Sequence, residues 1–468
     1  MKPWYARWAT ALPALTILLG GLLLVVWLGT DGGRGTTRRL PGTDQAPGGN
    51  PAATINPVVA GQVVTGSGVP SKVGESWNQF RGPNRDNISH GKIRLARTWP
   101  ATGPREVWSV DCGEGYAGAA IQQGRVYLMD YDAAKKQSAL RCLSLADGRE
   151  IWRFAYPLAL KRNHGVTRTV PTLTDKYLVA MDSKCNVLCL DATSGKLQWS
   201  INLVREYGAT VPQWYAGQCP LIDGNRVILA PGGPEALLLA VDLTTGKPLW
   251  RTPNPRGWKM THSSVMTMEF GGRPTYVYCG SAGVLGVSAK DGAILWESTD
   301  WKISIATVPS PLVLPEGRVL LTGGYNAGSV LLQVKETGGV IAPQVGYKLA
   351  PEVFGATQHT PILLDGNIYA TRANGQFVCL APSGEVRWTS PAGDSFGLGS
   401  FLYADGLFFI LNGDGRLTLA DPSAGNFHPL AQAQVLKGGE SWAPMALADG
   451  FLLVRDLNRL ACLDVAAH

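Results

Sequence analysis

Histidine is scarce in this chain, with six in 468 residues, and charged side chains make up only 16% of it. No H-E-x-x-H pair is present, and the eight cysteines (Cys112, Cys142, Cys185, Cys189, Cys219, Cys279, Cys379 and Cys462) include no two in adjacent positions. Cys185 and Cys189 are close in sequence, but no second pair or nearby histidine completes a zinc set. A C-x-x-C-H haem attachment is missing as well. Gly-rich segments such as Gly113-Glu114-Gly115 and Gly323-Gly324 do not lead into a helix, so they form no phosphate loop. Residues 1–76 hold six Lys/Arg against three acids, leaving the other residues with a surplus of four from the overall +7. Without a basic run or an RNA-binding motif, that surplus excludes a nucleic-acid partner. No catalytic residue and no metal-ligand set is assigned.

What the chain has instead is apolar and turn-forming material: 57 Gly, 31 Pro and 15 Trp, with 45% hydrophobic residues. That mixture suits an all-β fold with frequent tight turns. Residues 8–29 form one uncharged apolar stretch, bracketed by Trp8 and Trp27. As a helix it would be about 33 Å long, enough to cross a bilayer core of roughly 30 Å. No A-x-A cleavage site or lipobox cysteine follows, so residues 1–29 are expected to be an uncleaved transmembrane signal-anchor. Lys2 and Arg7 face Arg34, Arg38 and Arg39 across the span, and charge alone does not orient it. The short N-terminal tail is placed in the cytoplasm. Residues 30–76 lack helical or strand periodicity and read as a Gly/Pro/Thr-rich flexible tether, with a mean span of about 35–40 Å.

From residue 105 to 468 one pattern recurs. A short apolar strand, often carrying x-Pro (Val170-Pro171, Cys219-Pro220, Ser310-Pro311, Thr360-Pro361, Ala443-Pro444), leads to a turn and a second apolar strand. Eight such hairpins turn near Gly124, Lys176, Gly224, Gly272, Gly317, Gly366, Gly406 and Gly450. Asp-Gly between apolar segments favours a hairpin because Gly accepts positive φ. A third strand, a Gly turn and a fourth strand follow, the last ending in Trp at Trp152, Trp199, Trp250, Trp296 and Trp388. The copies around Val334–Val345 and Leu419–Phe427 lack this Trp. The final copy stops after its third strand, Leu460–Asp464, and Glu106-Val107-Trp108 is expected to supply the fourth. The period is that of a propeller, and the expected fold is an all-β, eight-bladed β-propeller of four-stranded antiparallel blades. The two ends of the array share one blade, which leaves no open edge.

The recurrent [L/V]-[D/S/A]-x-x-x-G-x-x-x-W pattern resembles the repeat of pyrroloquinoline-quinone-like (PQQ-like) propellers. Two branches are relevant, the quinoprotein alcohol dehydrogenases and the BamB-like proteins. The resemblance covers roughly residues 77–468 and implies that Trp108, Trp152, Trp199, Trp250, Trp296 and Trp388 dock between adjacent blades. The segment 77–104 opens with Trp77-Asn78-Gln79-Phe80-Arg81-Gly82-Pro83. It looks like the lead-in of membrane-anchored bacterial members and reads as a plug or strap, with Gly82-Pro83 setting a turn and Trp77 and Phe80 pinning it.

In the dehydrogenase branch the resemblance implies a quinone stacked between a Trp and a ring of two adjacent bonded cysteines, beside a Ca²⁺ held by hard oxygen ligands. This chain lacks adjacent cysteines and a long insertion to roof such a site. The leading expectation is therefore a protein-binding or scaffolding module in the cell envelope, with no cofactor, and a monomeric propeller. It would be held to the bacterial inner membrane through residues 8–29, facing the periplasm and an envelope protein partner. The alternatives are a PQQ- and Ca²⁺-dependent dehydrogenase or other redox enzyme, and a sensor with a ligand at the channel rim. Segments that precede the first strand of each blade converge at that rim. Arg168, Gln218, His262, His359, Glu440 and Trp442 are the candidate ligand or partner residues. The two histidines belong to non-adjacent hairpins, which argues against a shared metal.

Overall fold

The computed structural model describes residues 17–26, 56–422 and 425–468. The chain divides into two units, Met1–Pro41 and Gly42–His468. In the first, residues 17–26 form a helix whose side chains are exposed. Among the described residues no helix is long and apolar enough to cross a membrane. The remainder of the expected span 8–29, and residues 30–55 of the expected tether, lie outside the described residues.

The second unit carries eight antiparallel blades. Their innermost strands are Ala120–Gln122, Thr172–Leu173, Leu221–Asp223, Met266–Phe270, Leu312–Leu314, Ile362–Leu364, Phe401–Ala404 and Ala446–Ala448, which we number as blades 1 to 8. Inner strands touch between blades 1 and 2, 2 and 3, 4 and 5, 5 and 6, and 8 and 1. The other boundaries are bridged just before the inner strands, by Cys219 N to Ser264 Oγ, His359 Nε2 with Leu398 O, and Ser400 Oγ to Ala443 O, so the ring is continuous. Each inner strand turns sharply into the second. At Asp365-Gly366, Asp405-Gly406 and Asp449-Gly450 both turn residues have φ between 46° and 80°, the backbone that Asp-Gly accepts most readily.

Closure takes place where the sequence pattern puts it. Arg105–Asp111 is the outer strand of blade 8, pairing Glu106 with Leu463 and Trp108 with Cys462. The seam is braced by buried charge. The Arg455 guanidinium donates to Ala117 O and Gly113 O, both at 2.9 Å. Asp130 accepts from Gly113 N at 2.7 Å and from Arg141 Nη1 at 3.0 Å. Burial alone would raise the Asp130 carboxyl, but Arg455, Arg141 and two backbone N–H groups hold it below its ordinary value.

The recurring Trp explains how neighbouring blades lock. Opposite it on the third strand stands a small residue: Cys142 for Trp152, Cys189 for Trp199, Ala240 for Trp250, Gly286 for Trp296, Cys379 for Trp388 and Cys462 for Trp108. All eight cysteines are buried and free, four of them in this packing position, where a thiol serves as a small apolar group. In all six of these blades the register shifts just after the small residue, the extra residue being the one before the Trp: Val107, Ile151, Gln198, Leu249, Leu295 and Arg387. Such a bulge re-aims the strand locally.

Four of the rings then lie on a positive-φ glycine of the next blade: Trp108 on Gly148, Trp152 on Gly195, Trp199 on Gly246 and Trp250 on Gly292. Trp108 Nε1 and Trp199 Nε1 also donate across the blade boundary, to Leu145 O and Leu243 O, each at 2.8 Å. Trp296 meets no such glycine, because blade 5 extends into two ten-residue strands, Gly328–Thr337 and Val340–Leu349. It packs instead among Val319, Leu332 and Val334 of that blade. Trp388 packs beside Phe427. In blade 5, which lacks the Trp, Tyr347 fills its register position and rests on Gly384.

One expectation needs correction. Residues 56–76, read as the end of a flexible tether, are docked on the propeller. Gln62–Thr65 adds a fifth, antiparallel strand to the outer edge of blade 1, pairing with Trp152–Ala155. The glycines here serve close approach: a Cβ on Gly66 would come within 1.9 Å of Glu150 O.

Two stability measurements follow. Gly195→Ala should cost about 2–4 kcal/mol, because a left-handed backbone and a Cβ 2.6 Å from the Trp152 ring coincide there. Gly366→Ala, with equally positive φ but open space around it, should cost only the backbone strain of about 1–2 kcal/mol. Equal shifts in urea midpoint would show that the Trp contact contributes nothing. For Asp130, a folded value below the unfolded one means its stabilisation is present above the unfolded pKa of about 4 and is lost as pH falls through the folded value. Asp130→Asn should therefore lose stability at pH 7 and show a flatter decline below pH about 4 than the parent in chemical denaturation.

Candidate functional site

The lead-in governs the centre of the ring. Trp77 is buried, pairs with Ile121 of blade 1 and lies under Gly82. Asn78 exchanges bonds with Leu173 of blade 2. Arg85 Nη1 donates to Pro220 O of blade 3 at 3.1 Å, whereas Asn87 donates to Phe401 O of blade 7 at 2.6 Å. Blades 3 and 7 stand on opposite sides of an eight-membered ring, so residues 85–87 cross its axis. Ile88–Ser89 then runs parallel to the inner strand of blade 7. Arg81 ties the crossing down, donating Nη1 to Thr360 O at 2.6 Å and Nη2 to Pro361 O at 2.9 Å. Its backbone, like that of Gly82 and Arg85, has positive φ, which folds the segment into a compact knot. The lead-in is a plug.

Above the plug lies a cup of about 220 Å³, floored by Phe80, Arg81 and Asn87 and walled by residues near the starts of the inner strands. Of the six residues expected at the rim, Arg168, His262, His359 and Trp442 line it. Gln218 does not. It is buried and bonds Ala230 in both directions, accepting from the N–H at 2.8 Å and donating to the carbonyl at 3.2 Å. Its neighbours Gly217 and Cys219 face the cup instead, as side-chain alternation along an extended segment requires. Glu440 stands behind the wall, where its carboxylate accepts the Tyr116 hydroxyl at 2.5 Å.

Tyr116 and His164 are lining residues that the x-Pro alignment misses, since both lie upstream of the positions it aligns, Tyr116 in a blade without the motif and His164 six residues before Val170-Pro171. Tyr116 stacks on Trp442 with centroids 5.1 Å apart, and the Arg168 guanidinium lies 5.3 Å from the Tyr116 ring centre. Arg168 is fixed by donating to Gly165 O at 2.8 Å and His164 O at 2.6 Å. His359 Nε2 is 2.6 Å from Leu398 O. His262 Nε2 is buried with no hydrogen-bond partner in the protein.

Electrostatically the cup is a cationic site. Desolvation, then the Arg168 charge, brings His262 down to about 3, and desolvation, followed by a contribution from Arg81, brings His359 down to about 4. Both imidazoles are neutral at pH 7. Burial lowers Arg81 to about 9, Arg85 to about 10 and Arg168 to about 10, and all three stay charged at neutral pH. No Asp or Glu lines the cup. Among the described residues no group of three or more His, Cys, Asp or Glu is placed to hold a metal ion. A Ca²⁺-bound quinone would need carboxylate oxygens and a ring of bonded adjacent cysteines. Neither is in the wall, where the free Cys219 is the lone thiol. The donor set does not fit that cofactor.

The class defined by these features is a closed eight-bladed propeller whose channel is plugged at one end. A family model described as outer membrane protein assembly factor BamB matches residues 135–340. BamB of Yersinia pestis is 24% identical over 314 residues, covering 55% of this chain and 75% of that protein. The crystal structure of BamB from Moraxella catarrhalis superposes with a TM-score of 0.54 at 13% identity, over 77% of this chain and 99% of that one. A europium-containing methanol dehydrogenase gives 0.59 at 13% identity, over 82% and 90%, so the fold is shared with enzymes. The chain is thus similar to BamB in sequence over part of its length, and its propeller fold is one that BamB shares with quinone-dependent dehydrogenases.

The plug can be tested by itself. Arg81→Met removes the donors to Thr360 O and Pro361 O. It should cost about 2–4 kcal/mol and accelerate amide hydrogen exchange within residues 77–89, leaving the Trp108–Cys462 seam protected. Unchanged exchange in the lead-in would mean that Arg81 does not hold it.

Proposed function

We propose that the chain is a protein-binding propeller of the bacterial cell envelope, tethered to the inner membrane through residues 8–29 with its propeller in the periplasm. The observation that carries this reading is the plugged ring. A segment of the chain itself seals one end of the channel, and the cup that remains has aromatic and cationic walls but no acid–base pair or oxygen-ligand set. A rigid ring with loops on two faces is suited to presenting a binding surface. The similarity to BamB, an outer membrane protein assembly factor by name, supports a protein partner. Blade edges supply a second docking mode. Gln62–Thr65 occupies the edge of blade 1, and Val340–Leu349 is the outermost strand of blade 5, with Val340 and Val345 exposed. An extended partner segment can add to such an edge.

Photo-crosslinking residues placed at Tyr325 on the cup rim and at Val340 on the blade 5 edge should capture a defined envelope protein in native membranes. Recovering none from either position would remove the support for a partner. The protein should resist extraction by alkaline carbonate, and a chain lacking residues 1–29 should become extractable. Reconstitution with PQQ and Ca²⁺ should yield no dye-linked alcohol oxidation. Turnover there would replace this reading with the dehydrogenase one.

A further inference from the structure

The cup raises a charge problem that a protein-binding role leaves open. Arg81 and Arg168 line it and Arg85 lies directly beneath, with Arg81 and Arg85 each 3% exposed. The acids nearest to them are committed elsewhere. Glu440 accepts the Tyr116 hydroxyl, and Asp86 caps the backbone N–H of Ile88 at 2.9 Å outside the cup. Arg85 Nε and Nη2 and His262 Nε2 are buried polar atoms without a protein hydrogen-bond partner. Isolated buried cations are costly, and proteins generally pair them. Here no carboxylate lines the walls. Arg168 Nη1 and Nη2 donate to loop carbonyls, which hold the guanidinium without neutralising it, and His262 Nε2 of the lining lacks a partner. A cation facing a space with no carboxylate in its wall is the arrangement expected of a receptor for an anion.

The walls restrict the anion further. Phe80, Tyr116, Trp214 and Trp442 present ring surface, and both flanking imidazoles are uncharged at neutral pH. A cation would meet Arg168 and Arg81 with no carboxylate to neutralise it. A hydrated inorganic anion would leave the aromatic surface unused. A carboxylate matches the planar fork of a guanidinium, and an attached flat or apolar group matches the rings. The volume of about 220 Å³ suits one ring and its acid rather than a folded domain.

We propose that the plugged channel is a metal-free binding site for a carboxylate carrying a flat or apolar group. Arg168 meets the acid, Trp442 and Tyr116 hold the ring, and Glu440 sets the position of Tyr116. The carboxylate has two chemical sources, a free aromatic acid or the C-terminal residue of a peptide. This inference goes beyond the protein-binding proposal and stands without it, because the cup can hold a small acid whether or not the blade edges hold a protein.

The test is calorimetric titration of the full-length detergent-solubilised protein with two acid/amide pairs. N-benzoylglycine and N-benzoylglycinamide probe the free acid, and Gly-Gly-Phe with a free or amidated C-terminus probes the peptide. At least one acid should bind tenfold or more tightly than its amide, and whichever acid is preferred names the source. Arg168→Gln should weaken the acid at least tenfold and leave its amide unchanged. Arg168 also braces the loop at His164 and Gly165, so a second variant keeps the test decisive. Glu440→Gln retains an acceptor for Tyr116 while removing the nearby negative charge, and should tighten acid binding severalfold. Equal affinity for acid and amide, no binding of either pair at 10 mM, or weaker acid binding by Glu440→Gln would each overturn the proposal. Crosslinking results bear on the other reading alone.

Discussion

The packing of an indole on a left-handed glycine of the neighbouring blade is the contact on which the rest of this structure depends. It needs three things in register. A small residue such as Cys142 or Ala240 must stand opposite the Trp, a bulge must shift the strand there, and the next blade must present a glycine where a Cβ would collide with the ring. Each requirement is local to one repeat, yet the contact they form spans two. That contact holds the boundaries from blade 8 round to blade 4, Tyr347 on Gly384 repeats it between blades 5 and 6, and the other boundaries pack without it. Together they must bring the blades through a full turn before Arg105–Asp111 can reach Arg459–Asp464. The continuous ring is what allows rim residues from distant repeats to face one another across a single space.

Buried charge then divides the centre into a structural half and a receptive half. Arg81 spends its donors on Arg85 O, Thr360 O, Asp86 O and Pro361 O. It acts as a multivalent staple between lead-in and blade 6, and it remains charged. Binding to carbonyl dipoles holds a guanidinium in place without neutralising it. At the seam the opposite choice is made, with Asp130 set against Arg141 and Arg455. The same residue type therefore closes the ring where it is paired with acid and polarises the cup where it is not.

Much of the architecture was legible in the sequence because its signals are local. The hairpin turns and the terminal Trp recur from repeat to repeat, and eight repeats predict eight blades. The shared blade was legible for the same reason, as an incomplete last copy together with an orphan strand at Glu106–Trp108. What escaped was non-local. Gln62–Thr65 resembles linker because the glycines after it are read as freedom, whereas Gly66 and Gly68 permit close approach to the Glu150 and Arg149 backbone. The cup was partly legible. Four of the six expected residues line it, but Gln218 is off by one position on an alternating segment and Glu440 acts through Tyr116. The floor came from Phe80, Arg81 and Asn87, residues read only as plug. Nothing in one-dimensional spacing tells which face of a crossing segment looks into the ring.

Sharing blade 8 between strands about 350 residues apart also fixes an order of events in time. Seven sheets can be completed from neighbouring repeats as the chain is delivered, but the eighth waits for Arg459–Asp464, and loop closure over such a separation is slow. Until then an unpaired strand edge stays open at each end of the array, the condition that invites misassembly. A chain cut short anywhere before that strand leaves the edge permanently exposed. The last-formed seam is thus the step on which the ring's resistance to edge-to-edge pairing waits, because a copy lacking Arg459–Asp464 keeps the inner edge of Arg105–Asp111 unpaired.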